Sequence, residues 1–361
     1  MYFNLKKLHL FGLMKSTIFN KIPYLALFLI SGAVLFFGMD LFLGSVTIPF
    51  KSIINIILGD VNEKESWRII ILEARFPKTI AALLCGAALS VSGLQMQTLF
   101  RNPLAGPYIL GISSGAGLGV AIFIMGLSFI GISTSDLSIA TNSGIVISSI
   151  LGSFTVLAIL LALINRIKDI MTILILGVMI GSIITAIIGI IQYFSQDVQL
   201  KSFIMWTMGD LSAVTSNELL ILTPIVFVGL IGSFIISKNL NAYLLGEEYA
   251  KSLGVNLKRA RIIIILITSI LTGSITAYCG PIGFIGIVIP HLARMLSNSS
   301  DHRILIPLSI LLGINVLLIA DIISQLPVLE QTLPINSITS LIGIPFIIWI
   351  ILKNKKITNL N

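Results

Sequence analysis

Long apolar runs alternate with short polar connections from one end of the chain to the other. An apolar helix needs about twenty residues to cross a ~30 Å hydrocarbon core. Runs of that order predict spans at 23–43, 79–99, 109–130, 142–164, 171–192, 218–237, 262–279, 283–297, 304–323 and 336–352. The pattern describes an all-α polytopic membrane protein with about ten transmembrane helices. The longest polar stretches, 193–217 and 238–261, are too short to fold alone, so residues 1–361 read as one transmembrane domain.

Composition agrees with the pattern. Hydrophobic residues make up 56% of the chain and charged residues 11%, with a mean hydropathy of +1.05; soluble domains carry roughly 25% charged residues. Ten spans put both termini on one side, and basic residues collect on the cytoplasmic side of bacterial membrane proteins. With the termini inside, the outer side keeps only Lys51, Lys64, Arg68, Arg75, Lys78 and Lys201 of the 23 lysines and arginines. The net charge of +8 therefore reflects topology, and no nucleic-acid partner is needed to account for it. The basic start "LKKLHLFGLMK" precedes a long run with no small-x-small cleavage site, which reads as a retained first span. Cys85 and Cys279 fall inside spans and read as small buried hydrophobes rather than a disulfide or metal pair.

Several chemistries are excluded. No G-x-x-x-x-G-K-[ST] phosphate loop occurs, so the chain reads as a non-enzyme without a nucleotide site, catalytic residue, metal or cofactor of its own. "GISSG" (Gly111–Gly115) matches a nucleophile elbow only formally, because that motif needs a strand–turn–helix setting and a partner histidine. H-E-x-x-H is absent.

The second span, "TIAALLCGAALSVSGLQMQTL", is unusually rich in small and polar residues for lipid-facing sequence. Ala82, Gly86, Ser90, Gly93 and Gln97 recur at helical spacing and share one face. Gly111, Gly115 and Gly119 form a similar stripe in the third span. Lipid tails give helices no hydrophobic reason to associate, so such faces mark close backbone packing. The second span is therefore expected inside the protein.

Thr268, Thr272 and Thr276 line up in the seventh span, either packing helices through back-bonded hydroxyls or lining a water-filled path. Asp321, near the outer end of the ninth span, is either a path residue or a helix-end carboxylate. In "GPIGFIGIVIPHLARML", Gly280-Pro281 breaks the chain, Pro290 kinks or ends a helix, and His291 reads as a structural hydrogen-bonder. The cytoplasmic segment 240–261 holds a short helix framed by Gly246 and Gly254, suited to left-handed caps.

In order along the chain, "RFPKTIAALLCGAALSVSG", "FRNPLAGPYILGISSGAGLGV", "WTMGDL", "LLGEEYAKSLGVNLKRAR", "GPIGFIGIVIPHLARML", "DHRILIPLS", "LLIAD" and "SLIGIPFIIWIIL" resemble the FecCD-type permeases. These are the membrane subunits of ABC importers for iron–siderophore complexes, heme and cobalamin. The resemblance implies a subunit of the bacterial cytoplasmic membrane that pairs with a second copy or a paralogue. It implies two ABC ATPase subunits, which use ATP and Mg, and an extracytoplasmic substrate-binding protein. By position, it implies docking of that protein at Arg75 and Lys78, and an inner gate at Asn102, Pro103, Leu104 and Ala105. It also implies coupling to the ATPase through Leu245, Gly246, Glu247, Ala250, Leu253 and Gly254. The expected cargo is a ferric siderophore, with heme and cobalamin as alternatives and an ion-coupled secondary transporter as the rival class. The chain departs from the family pattern at Thr332–Asn336, where Glu-Leu-Pro-hydrophobic-Gly is usual. It departs again at Gln325, where many members carry Arg, and at the turn Asp169–Thr172, polar in some relatives. A cysteine at Thr276 separates the two readings of the threonine face: only a path residue should react with a water-soluble thiol reagent.

Overall fold

A computed structural model of the chain describes all residues except 1, 45, 60–61, 127–140, 165, 168, 326–331 and 359–361. Among the described residues the fold is entirely helical. The first part contains α1 (Tyr2–Phe42), α2 (Phe50–Ile57), α3 (Glu65–Ile69), a π turn (Ile70–Arg75) and α4 (Phe76–Leu99). After a 3-10 turn at Pro107–Leu110 come α5 (Ile112–Ala121) with a π turn (Ile122–Gly126), α6 (Thr141–Ile164), α7 (Ile170–Tyr193) and α8 (Asp197–Thr207). Next are α9 (Ser216–Ile235), α10 (Ser237–Leu244), α11 (Glu247–Ser252) and α12 (Leu257–Cys279). The chain closes with α13 (Ile285–Ser297), α14 (His302–Ser324) and α15 (Ile335–Thr358).

Seven of these helical stretches are long and apolar enough to cross a membrane, and three shorter apolar helices, Ile112–Gly126, Ile285–Ser297 and Ile335–Ile350, complete the series. They fall where the ten spans are expected. The differences are local. Residues 127–130 of the expected third span lie outside the described residues. The polar stretch 193–217 contains α8, and α2 lies between the first two spans; both escaped a search for long apolar runs. Pro290 neither ends nor divides its helix, since α13 runs through it.

The second span is longer than expected. From Glu65 to Leu99 the chain forms one continuous helical stretch of 35 residues. Pro77 would ordinarily disrupt it, lacking an N–H and crowding the carbonyl of the preceding turn. The π turn immediately before Pro77 widens the helix where that carbonyl would clash. The same widening turns the side chain of Arg75 inward.

The centre of the fold is α4. It packs against α14, α12, α13 and α9, and its face of small residues is buried as expected. At two crossings the backbones touch. Gly86 meets Gly313 on α14, where a methyl on either residue would run into the other's carbonyl oxygen. Gly93 lies over the carbonyl of Gly286 on α13, closer than any Cβ could tolerate. The stripe in the third span behaves alike, with Gly115 against Gly152 and Gly119 against Ser148 on α6. Cys85 and Cys279 are free thiols buried in the core.

Gly93→Ala should force α4 and α13 apart and cost about 3 kcal/mol or more, as overpacking of a tight core does. Gly189→Ala, on the exposed face of α7 with nothing within 4 Å of the added methyl, should be neutral or gain roughly 0.5–1 kcal/mol. Thermal unfolding in detergent compares the two. Equal melting temperatures would refute the close-approach account.

Candidate functional site

The end of the molecule that carries Arg75 and Lys78 is called outer, following the charge asymmetry. There α1, α4 and α14 are joined by a polar cluster. Lys78 Nζ lies 3.0 Å from Asp321 Oδ1. Gln325 Nε2 donates to Asp321 Oδ2 at 2.9 Å and to Asp40 Oδ1 at 3.0 Å. Thr79 Oγ1 donates to the other oxygen of Asp40 at 2.7 Å. Both carboxylates are almost fully buried, at 1% exposure. Asp321 is thus ion-paired with Lys78 near the outer end of α14. It also forms part of the floor of an outer recess of about 240 Å³, bordered by Trp206, Asp210, Ser324 and Pro334.

Arg75 has a different task. Its Nη1 donates to the carbonyls of Leu41 (2.9 Å) and Phe42 (3.0 Å), and its Nη2 donates to Val46 O. The guanidinium therefore caps the C-terminal end of α1, where helix carbonyls have no intrahelical partner. The expected pair of outward charges is not what the structure presents. Arg75 is buried and saturated, and the Lys78 side chain is 13% exposed and ion-paired.

At the inner end, α4 stops in a Schellman turn. Arg101 adopts a left-handed conformation (φ 48), Asn102 N–H reaches back to Gln97 O at 3.2 Å, and Arg101 N–H to Thr98 O at 3.3 Å. The following turn, Asn102–Ala105, is closed by Ala105 N–H to Asn102 O (3.0 Å) and Leu104 N–H to Asn102 Oδ1 (2.9 Å). Pro103 and Leu104 are exposed and Ala105 is buried. The turn is held to α13 from two sides. His291 Nε2 is 2.9 Å from Pro103 O, and Arg294 Nη1 donates to Gln97 Oε1 at 2.6 Å while Gln97 Nε2 donates to Ile287 O at 3.0 Å. His291 is the structural hydrogen-bonder that its setting suggested.

The loop between α9 and α12 folds into α10 and α11. Gly246 (φ 113) precedes α11, and Gly254 (φ 83) ends it in a second Schellman turn, with Val255 N–H to Ala250 O at 3.1 Å and Gly254 N–H to Lys251 O at 3.0 Å. Arg261 Nη2 donates to Glu247 Oε2 at 2.6 Å, bracing α11 on α12. Ala250 faces the protein, whereas Leu245, Tyr249 and Leu253 are 64%, 53% and 58% exposed. These three side chains leave an exposed apolar cluster on and beside the short braced helix, next to a recess bordered by Arg101, Asp169 and Glu248. At that recess Asp169 caps α7, accepting from the hydroxyl and N–H of Thr172; these bonds hold its carboxyl below the usual range.

The sequence profile of the FecCD transport family matches residues 28–353. The chain belongs to this family. It is 36% identical over 315 residues to the hemin transport system permease protein HmuU of Yersinia pestis, covering 87% of this chain and 91% of that one. It is also 36% identical over 285 residues to the vitamin B12 import system permease protein BtuC of Escherichia coli O9:H4, covering 79% and 84%. Among solved structures, an ABC transporter described as of metal-chelate type, in an inward-facing conformation, superposes with a TM-score of 0.77 at 27% identity. That superposition covers 92% of this chain and 99% of the other. The chain is therefore the permease component of an ABC importer of the FecCD family.

Within this FecCD permease the threonine face of α12 is buried. Thr268, Thr272 and Thr276 are 0%, 1% and 0% exposed. Thr268 Oγ1 donates to Gln95 Oε1 at 2.6 Å, and Thr272 Oγ1 back-bonds to Thr268 O. Gln95 in turn donates to Ser233 Oγ at 2.7 Å, tying α4, α9 and α12 together. A further open recess with polar lining lies on α7. Gly177, Gly181, Ser182 and Thr185 border a recess of about 390 Å³ together with Tyr108 and Ser114. Sequence reading missed it because Ser182 and Thr185 are scattered among isoleucines. It also missed Asp40, whose only signal was one carboxylate at the end of a long apolar run.

Arg75→Ala should lower stability by roughly 3 kcal/mol, because hydrogen bonds to a charged donor contribute about 1.5–3 kcal/mol each. Arg75→Lys should fail to restore it, since one ammonium cannot reproduce the planar fork that serves three carbonyls. Thermal unfolding of the purified permease reads both. An unchanged melting temperature in Arg75→Ala would show that the cap contributes nothing.

Proposed function

We propose that the chain draws ferric siderophore into the cytoplasm, working with a second permease copy or a paralogue, two ABC ATPase subunits and an extracytoplasmic binding protein. The observation that carries this reading is the docking face of α11, whose glycine-capped ends and bracing by Glu247 and Arg261 fit it to receive force from a partner. ATP and Mg are used by that partner. The positive-inside distribution puts both termini, the Asn102–Ala105 gate and α11 on the cytoplasmic side.

The path runs along the α7 recess, whose small and hydroxyl side chains form a wettable wall beside a second subunit. Hydrogen-bonding and small groups suit a bulky polar chelate, and the relatives named for hemin and vitamin B12 keep those cargoes as the second reading. An ion-coupled carrier is less favoured, because Asp321 is paired with Lys78 near the outer interface rather than held for an ion at mid-membrane. Docking of the binding protein centres on Lys78 at the outer recess, where an incoming carboxylate competes with Asp321. Arg75 acts only as a brace.

Reconstituted with its ATPase and binding protein, the permease should accumulate a ferric hydroxamate siderophore on ATP and not on a proton gradient alone. Uptake of hemin or cyanocobalamin in its place would change the cargo, and gradient-driven uptake by the permease alone would overturn the reading. Gly254→Val should abolish most uptake while ATP hydrolysis continues. A left-handed conformation costs a branched residue about 1–2 kcal/mol, and no atom lies within 4 Å of the added Cβ, so the strain stays in the cap. Uptake at the wild-type rate would count against coupling through α11. A cysteine at Ser182 should react with a water-soluble maleimide, and one at Thr276 should not. The reverse order would return the path to α12.

A further inference from the structure

Four side chains form a continuous chain of hydrogen bonds between the coupling loop and the helix that carries the gate turn. Asn241 lies on α10, one helix before the docking face. Its Nδ2 donates to Asp301 Oδ1 at 2.7 Å, which orients the amide and leaves Oδ1 as acceptor. That oxygen receives both the backbone N–H of His302 (2.8 Å) and its ring Nδ1–H (2.7 Å). With the proton on Nδ1, the ring's Nε2 accepts from the Thr98 hydroxyl at 2.7 Å, with the Leu94 carbonyl at 2.9 Å as the hydroxyl's alternative acceptor. His302 and Thr98 are buried, at 0% and 1% exposure. The Thr98 carbonyl receives the N–H of Arg101, the residue that opens the gate turn.

A second, weaker link runs in parallel. Arg101 Nη2 reaches the carbonyl of Tyr243, also on α10, at 3.3 Å. A displacement of α11 transmitted to α10 would therefore reach the gate turn at both ends of one residue, through Thr98 to its backbone and through Tyr243 to its side chain. Apolar packing alone could slide without passing on direction. If the chain parts at Thr98, its hydroxyl can turn back to Leu94 O, but the buried Nε2 of His302 is left without a partner, and that cost favours movement as a unit.

We propose that Asn241, His302 and Thr98 act as a positioning relay that couples motion of α11 to the Asn102–Ala105 gate turn. This rests on the importer reading above, and the experiment separates the two. The probe is a cysteine at Leu104, exposed in the gate turn, in the complete transporter with its ATPase; Cys85 and Cys279 are buried and silent. Maleimide labelling of this parent is followed without nucleotide and with ATP plus vanadate. Thr98→Val keeps the side-chain shape and removes the hydroxyl. The ATP-dependent change in labelling rate should shrink about fivefold, as expected for loss of one neutral hydrogen bond, with ATP hydrolysis within about twofold of the parent. Thr98→Ser should restore the change. A merely structural role would lower hydrolysis and gate response together.

A Thr98→Val transporter whose gate responds as the parent does would overturn the relay while leaving the importer reading intact. If that variant does not assemble, Asn241→Ala cuts the chain from the other end. Failure of both to assemble would assign the network to folding and overturn the proposal. A parent whose labelling ignores nucleotide would remove the gate assignment, and the relay with it.

Discussion

The fold depends on how closely α4 can approach its neighbours. In lipid, leucine-rich surfaces gain nothing by meeting one another, so association rests on van der Waals contact and on hydrogen bonds made at short range. Gly86 on Gly313 and Gly93 on Gly286 bring α4 into backbone contact with α14 and α13. Every other feature of this permease that involves α4 follows from those two crossings. With a methyl group between the helices, Gln95, Gln97 and Thr98 would no longer reach their partners.

Burying such a helix raises a second problem, which its own side chains solve. Polar groups withdrawn from water must be paired. Ser90 and Ser92 return their hydroxyls to carbonyls one turn back, at 2.7 Å each. Gln95 and Gln97 instead reach across to α9, α12 and α13, and Thr98, within reach of Leu94 O one turn back, also meets His302 on α14. Thr79 does the same for α1 at the outer end. The helix is thus a polar spine in an apolar protein. The residues that look unsuited to a lipid-facing span are the ones that specify its neighbours.

How much of this was readable in the sequence follows from what kind of signal each part emits. The spans and the burial of α4 are periodic properties, repeated over twenty residues, and they survive local irregularity. The left-handed cap at Gly254 was readable because few other residues adopt that conformation. The direction of Arg75 was not, because a π turn of six residues decides whether it faces water or the end of α1, and π turns have no compositional signature. The pairing of Lys78 with Asp321 joins residues far apart in the chain. The threonine stripe of α12 left two readings open because a back-bonded hydroxyl in a packed helix and one beside water share the same spacing. His302 gave no warning at all: its hydrogen bonds are visible only once Thr98 and Asn241 stand on either side of it.

Both ends of α4 are held by charge-assisted bonds, and the ends differ in which helices they reach. At the outer end a guanidinium serves three carbonyls and an ammonium faces a carboxylate, both charge-assisted and therefore stiff. At the inner end Arg294 of α13 donates to Gln97, the Thr98 hydroxyl meets the His302 ring of α14, and Arg101 reaches the Tyr243 carbonyl of α10. Charge-assisted bonds are roughly twice as strong as neutral ones, so the neutral Thr98–His302 bond is weaker than the Arg294–Gln97 bond beside it. The helix is thus pinned to α1 and α14 at its outer end and to α13, α14 and α10 at its inner end, so its neighbours must move with it or around it.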